Sequence, residues 1–250
     1  MLIVADVHGA NDALARVARR GEPLLVLGDL LNLVDYRDGS GLLCDLLGRD
    51  LVLEVLELRR QGGFGAANDR WRAFVAGREA ETMARYDDLV AAAYQEVAEA
   101  LAGCEAYVTY GNADRPGMLR RSLPPGVRYV DGEVVEIEGW RVGIVGGGAM
   151  RLGVPGETPD ADLSGKVAGL GEVDVLCTHV PPAVPQLSHD VIGGRSRASE
   201  PVLSYLLTHQ PPWHYFGDVH QPQATSWRVG RTMCRNVGFF RMTGRAVRHG

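Results

Sequence analysis

The chain has 250 residues, 46% of them hydrophobic, and a formal net charge of −5. That length can bury a sizeable core as one large domain (1–250), and an acidic balance without a basic block argues against a dedicated nucleic-acid surface. No apolar stretch approaches the roughly 20 residues of a membrane span, no signal peptide precedes the first apolar run, and Cys44, Cys104, Cys177 and Cys234 are scattered like reduced thiols in a cytoplasmic protein.

The first apolar run, Leu2 to Ala5, ends in Asp6-Val7-His8-Gly9, so a buried strand delivers two metal-capable side chains at its carboxyl edge. Ala10 to Arg20 has Leu14, Val17 and Ala18 at helical spacing, with Asn11 or Asp12 as N-cap and Gly21 as stop. Pro23 to Leu27 is a second strand, ending in Gly28-Asp29, and strand, helix, strand at this spacing is a βαβ unit with a parallel sheet. Leu42 to Arg60 is Leu-rich and helical in pattern, interrupted near Gly48. From Trp71 and Phe74 to Val97 and Leu101, apolar residues recur every three to four positions, as one long helix or two broken at Gly77. This helical insertion, about 40–103, is either an amphipathic packing element or a lid or homodimer interface; the sequence does not choose.

Ala106 to Tyr110 is a third strand, ending in Gly111-Asn112-Ala113-Asp114. Val127 to Val145 alternates and turns at Asp131-Gly132 and Gly139, which suggests antiparallel hairpins. Gly143 to Gly148 has the wrong spacing for a dinucleotide loop and is read as a tight turn. Val173 to Cys177 is a strand ending in Thr178-His179-Val-Pro-Pro182, followed by a helix over 200–209. Trp213 to Phe216 leads into Gly217-Asp218-Val219-His220, and Thr225 to Val229, Thr232 to Asn236 and Phe239 to Met242 look like closing strands.

Five apolar runs therefore end in polar side chains: Asp6 and His8, Asp29, Asn112, His179, and Asp218 and His220. In an open α/β sheet, loops at the carboxyl ends of strands converge on one crevice. Carboxylates, imidazoles and an amide oxygen gathered there suit a pair of divalent metals, with one carboxylate bridging ions roughly 3.5–4 Å apart. Taken singly, Asp29 and Asn112 could be turn formers and His179 a satisfied core histidine.

In order and spacing, these blocks resemble the calcineurin-like metallophosphoesterases, from residue 2 to about residue 238. The resemblance implies a four-layered α/β/β/α sandwich around a dinuclear metal centre. It implies Asp6, His8 and His220 at the first metal, Asp29 bridging, and Asn112, His179 and residue 218 at the second. Two positions depart from the family pattern. Ala113 stands where the family usually has a histidine after the asparagine, though Asp114 keeps the following acid. Loss of a positioned acid typically costs about 10²–10⁴-fold; Arg115, His189 and His214 are conceivable substitutes. Asp218 stands where the family's final motif begins with histidine, a harder ligand that favours Mn²⁺ or Mg²⁺ over Zn²⁺ and, by adding negative charge, a diester over a monoester.

The implied activity is a metal-dependent phosphoesterase, a phosphodiesterase in preference, using two divalent ions (Mn²⁺ first; Fe, Zn, Ni or Mg as alternatives) and a metal-bound hydroxide. Asn112, Asp114 and Arg115 are the expected catalytic residues, and the expected partner is a small phosphate ester, with no membrane. The alternative is a catalytically weakened or inactive protein on the same fold that binds partners. A nuclease is a third option, disfavoured by the charge balance.

Overall fold

A computed structural model describes residues 1–35, 39–151, 153–192 and 194–250. Strand β1 (Leu2–Val4), helix α1 (Asn11–Ala18) and strand β2 (Leu24–Leu27) form the βαβ unit, with the strands parallel and Leu2 opposite Leu24. Four helices follow, α2 (Leu42–Leu47), α3 (Arg49–Arg60), α4 (Phe64–Val75) and α5 (Glu79–Leu101). The chain then adds β3 (Ala106–Thr109), α6 (Pro116–Ser122) and β4 (Val127–Tyr129) before the hairpin of β5 (Glu133–Ile137) and β6 (Trp140–Val145). Short strands β7 (Gly148–Ala149) and β8 (Glu157–Thr158) lead to α7 (Asp160–Gly169) and β9 (Val175–Thr178). A one-turn α8 (Pro185–Ser188) opens the ribbon of β10 (His189–Asp190) and β11 (Arg195–Ser196), and α9 (Glu200–His209) and β12 (Trp213–Phe216) follow. The chain closes with β13 (Ser226–Val229), β14 (Thr232–Asn236), α10 (Phe240–Thr243) and β15 (Val247–Arg248).

These elements build an α/β sandwich. One sheet has the order β15-β1-β2-β3-β4, the other β13-β14-β12-β9-β6-β5, and both mix parallel with antiparallel pairs. The two-residue side-chain alternation of a strand decides which way each residue packs. Ile3, Leu25, Leu27 and Tyr107 of the first sheet meet Val142, Ile144, Val175, Cys177 and Tyr215 of the second in one buried cluster between the sheets. The intervening residues Leu2, Val4, Leu24, Val26 and Val108 pack outward with Leu14 and Val17 of α1 and Val90, Tyr94, Val97 and Leu101 of α5. On the far side, Val145, Leu176, Phe216 and Cys234 pack against Leu163 and Val167 of α7 and Val202 and Leu206 of α9. Strands buried on both faces need apolar residues in succession, and that is why these segments read as continuous runs rather than alternating ones.

Three sequence expectations change. The segment at Asp131-Gly132 is not a hairpin turn: β4 pairs parallel with β3 in the first sheet, and between Val127 and Val145 the hairpin is that of β5 and β6, in the second. The chain crosses between sheets there, anchored by Asp131, whose Oδ1 accepts from the Gly146 N–H at 3.0 Å. The segment Phe239 to Met242 belongs to helix α10, not a strand. Asn11 is the first helical residue of α1 rather than its cap, and its amide donates to Glu96 at 3.0 Å. The apolar stripe between Trp71 and Leu101 also divides in two. Trp71 and Phe74 pack with Leu47, Leu51 and Val55 in a satellite cluster, whereas the C-terminal half of α5 joins the main core. Gly77, at φ 75°, separates α4 from α5. All four cysteines are buried thiols, and no described helix is long and apolar enough to cross a membrane.

Candidate metal centre

The carboxyl ends of β1, β2 and β3 in one sheet and of β9 and β12 in the other open onto the same point. Backbone hydrogen bonds lace these ends together: Asp6 N to Gly28 O at 3.1 Å, His8 N to Asp29 O at 2.8 Å, and Gly217 N to His179 O at 2.9 Å. The two sheets are joined by Asp218 N donating to Asp6 Oδ1 at 3.1 Å and Phe240 N donating to Ala5 O at 3.1 Å. Among the described residues, six non-glycines have left-handed backbone, and four of them are Asp6 (φ 59°), His8 (φ 41°), Asp29 (φ 55°) and Asp218 (φ 65°). Such geometry costs of order 1 kcal/mol or more per residue and clusters at functional sites. At the ends of β1, β2 and β12 the chain turns sharply at these residues.

Two sets of ligand-type atoms each lie within 4.8 Å of one another and could hold a metal ion: Asp6, His8 and His220, and Asp6, Asp29 and His179. The histidine tautomers suit that use. The Nδ1 atoms of His8 and His179 face the carbonyls of Leu31 at 3.0 Å and Leu27 at 2.7 Å, so each ring donates outward and leaves its Nε2 lone pair facing the cluster. Asp29 lies between them, Oδ2 at 3.6 Å from His8 Nε2 and Oδ1 at 3.5 Å from His179 Nε2. His8 Nε2 and His220 Nε2 approach to 3.2 Å, and Phe239 stacks on the His220 ring with centroids 3.9 Å apart. With its oxygen turned inward, Asn112 Oδ1 lies 3.3 Å from His179 Nε2 and 3.1 Å from Asp218 Oδ1. Three acceptors then converge, a placement that a cation would satisfy; the flipped amide instead donates to Asp218.

The electrostatics ask for positive charge. Asp6, Asp29 and Asp218 are buried together, and Asp6 Oδ2 and Asp218 Oδ2 have no hydrogen-bond partner among the described residues. Burial alone would raise the Asp6 pKa, yet His220, His179 and His8 hold it at about 2. Burial raises Asp218, assisted by Asp29 and Asp6 and opposed by Arg197 and His179. Burial disfavours a charged His179, but Asp29, Asp218 and Asp6 hold its pKa up at about 9. Orphaned carboxylate oxygens beside imidazole lone pairs fit a divalent cation. Glycine makes room for them: a Cβ on Gly111 would overlap Asp29 Oδ1 and the His179 ring, and one on Gly238 would overlap Asp6 Oδ2.

The sandwich has precedent among solved structures. One crystal structure, 17% identical, aligns over 96% of this chain and 90% of its own with a TM-score of 0.59. TT1561 of Thermus thermophilus, 12% identical, aligns over 98% of this chain and 96% of its own with a TM-score of 0.55. At these identities the likeness is one of fold. No family model and no curated protein matches the sequence.

The expected site residues divide by position. Asp6, His8, Asp29, Asn112, His179, Asp218 and His220 come together as described. Asp114 and Arg115, expected to be catalytic, do not join them. Asp114 is buried and its carboxylate accepts from the N–H groups of Asp29 at 2.8 Å, Leu30 at 3.1 Å and Gly111 at 2.9 Å, and from Tyr94 Oη at 3.3 Å. It braces the loops that carry Asp29 and Asn112. Burial and the neighbouring Asp29 push its pKa up to about 7, against the pull of the Gly111 and Leu30 N–H groups and His179. The Arg115 guanidinium pairs with Asp87 and lies 5.4 Å from the Tyr86 ring, both on α5. His214, another conceivable substitute for the missing histidine, is buried with Nε2 2.9 Å from Thr178 Oγ1, and His189 is exposed on β10. Two arginines at the centre escape a reading of the sequence. Arg197 Nε lies 3.5 Å from Asp218 Oδ1, and Arg241 donates to the His8 carbonyl and pairs with Asp35 at 2.8 Å. Neither sits in a motif. Arg197 reaches the centre from the residue after β11, which pairs with β10 to form a ribbon.

Proposed function

We propose that this protein is a metal-dependent phosphoesterase of the calcineurin-like, four-layered type, acting in the cytoplasm on phosphate diesters in preference to monoesters. One observation carries the proposal. Ligand-type side chains from five strand ends of two sheets converge, with two buried carboxylate oxygens left unpartnered. Asp6, His8 and His220 would hold one divalent ion and Asn112, His179 and Asp218 a second, with Asp29 between them. Two Mn²⁺ ions held there would supply Lewis acidity for water activation and for the charge that develops on the phosphoryl oxygens.

The chain's own residues do the rest. Asp29 faces one histidine of each half and so keeps the two subsites in register. Ala113 supplies no proton donor at the expected acid position, but its N–H donates to Asp29 Oδ1 at 2.8 Å and fixes that carboxylate. Arg197 sits beside Asp218, where its guanidinium offsets the additional negative charge and can meet a phosphate oxygen. Phe239, flat against His220, walls the first subsite.

The Asp218–Arg197 pair also favours a second possibility, a one-metal, non-catalytic protein whose other subsite is neutralised by arginine. Metal analysis separates the two: two ions per chain for the enzyme, one or none for the alternative. Turnover of a bis-aryl phosphate and an aryl monophosphate in Mn²⁺ tests the activity. The diester should turn over faster, and Asp29→Ala should abolish both. Activity that survives Asp29→Ala overturns the assignment of the centre, and a strong monoester preference overturns the substrate class.

A further inference from the structure

Of the 26 basic side chains in this sequence one is a lysine, Lys166, and the other 25 are arginines. It lies on α7, half-buried, and donates at 2.8 Å to Tyr110 Oη and at 2.8 Å to Asp131 Oδ2. Its Nζ is also 5.1 Å from the Tyr110 ring centroid. Burial would lower its pKa, but Asp131 and Tyr110 raise it, so the ammonium stays charged.

Both partners lead to Asn112. Asp131 gives its other oxygen to the Gly146 N–H at 3.0 Å. The next residue, Gly147, donates its N–H to the Tyr110 carbonyl at 2.9 Å, and Gly148 packs so tightly on Asn112 that a Cβ there would overlap the asparagine side chain. Tyr110 stands two residues before Asn112, with its hydroxyl 3.0 Å from Thr158 Oγ1. Gly156 presses against the carbonyls of Gly111, Asn112 and Asp114, and its own carbonyl accepts from Gly148 N at 2.8 Å. The Asn112 loop is thus packed closely against two glycine segments that hydrogen-bond to each other, one of them tied to Lys166 through Asp131.

We infer that Lys166 is a positioning residue for the second metal subsite: by pinning Tyr110 and Asp131 together, it fixes the backbone that presents the Asn112 carboxamide to His179 and Asp218. The inference rests on Asn112 being a ligand, as proposed above. An exposed ion pair would contribute little, but Lys166 and Asp131 side chains are 25% and 16% exposed, and the ammonium serves two acceptors at once. A compact ammonium can direct separate donors at a phenol and a carboxylate, whereas the planar guanidinium fork suits one bidentate partner. A lysine among arginines fits that requirement.

The test is calorimetric titration of the whole protein with Mn²⁺, alongside its thermal unfolding, for wild type, Lys166→Met, Lys166→Arg and Tyr110→Phe. The wild type should bind two ions in separable steps. Lys166→Met should weaken one step about 10–100-fold, the usual effect of losing a group that orients a ligand, and leave the other within threefold. Lys166→Arg should recover only part of the loss, and Tyr110→Phe should weaken the same step. Two unaltered steps in Lys166→Met would overturn the inference and leave the functional proposal standing. Equal weakening of both steps with a falling melting temperature would also overturn it, as general destabilisation. A wild type that binds fewer than two ions would overturn both.

Discussion

Substituting Asp29 by asparagine removes one negative charge from the middle of the centre while keeping its shape. The Oδ1 that accepts from the Ala113 N–H at 2.8 Å is retained, so the loop has a reason to stay folded. The carboxylate faces His8 at 3.6 Å and His179 at 3.5 Å, so an ion in either half would lie within about 4 Å of it. Unit charges at about 4 Å in an effective dielectric of about 20 interact by about 4 kcal/mol, or about a thousandfold in affinity. One ion at a hundred times its dissociation constant stabilises the fold by about 2.7 kcal/mol, which raises the melting temperature of a chain this size by about 5–11 °C. Thermal unfolding with and without Mn²⁺ should show that rise in the wild type and almost none in Asp29→Asn at the same concentration. A variant stabilised as fully as the wild type would refute the placement of Asp29 between two cations.

Arg197→Ala should lower kcat/KM for a diester about 10–100-fold, the cost of a lost charge-assisted hydrogen bond, without weakening Mn²⁺ binding; unaltered kcat/KM would remove Arg197 from the site. Gly238→Ala should lose metal binding and about 1–3 kcal/mol of stability, because its Cβ would displace Asp6 Oδ2. Gly165→Ala, exposed on α7 with open space around it, should instead stabilise by about 0.5–1 kcal/mol, and denaturant titration of the pair checks both signs. Burial lowers the His214 pKa to about 3, so the native state excludes a proton that the unfolded chain binds near its ordinary value of 6.5. That contribution is fully present above pH 6.5 and is lost at roughly 1 kcal/mol per pH unit as pH falls toward 3. His214→Leu should flatten the dependence of unfolding free energy on pH between about 6 and about 4; identical slopes would show that His214 does not carry it.

The strand ends were the legible part of this chain. An apolar run followed by aspartate, asparagine or histidine announces both a buried strand and what it delivers, and seven such residues meet where parallel topology brings carboxyl ends together. Sequence adjacency to Asn112 says nothing about direction: Asp114 turns back under the loops of Asp29 and Asn112, and Arg115 turns outward to α5. Arg197 and Arg241 were invisible for the converse reason. They reach the centre through tertiary packing from segments without periodic pattern, and their residue type is the commonest basic one here. The crossing at Asp131 was misread because Asp-Gly favours tight turns in isolation, while the side chain is used to hold Gly146 and Lys166.

The glycines at the floor of the centre bear on how such a protein can change. Gly28, Gly111, Gly148 and Gly238 each lie so close to a ligand or a ligand loop that even a methyl group would collide. Single substitutions at those positions are closed to drift. Beside the β10–β11 ribbon, Val191 and Ile192 are exposed, a Cβ on Gly194 would meet nothing within 4 Å, and Arg197 lies just beyond. In the proposed phosphoesterase, new specificities would therefore arise by altering the rim one residue at a time over a floor that cannot follow, so that metal binding and substrate choice would be separately mutable parts of one molecule.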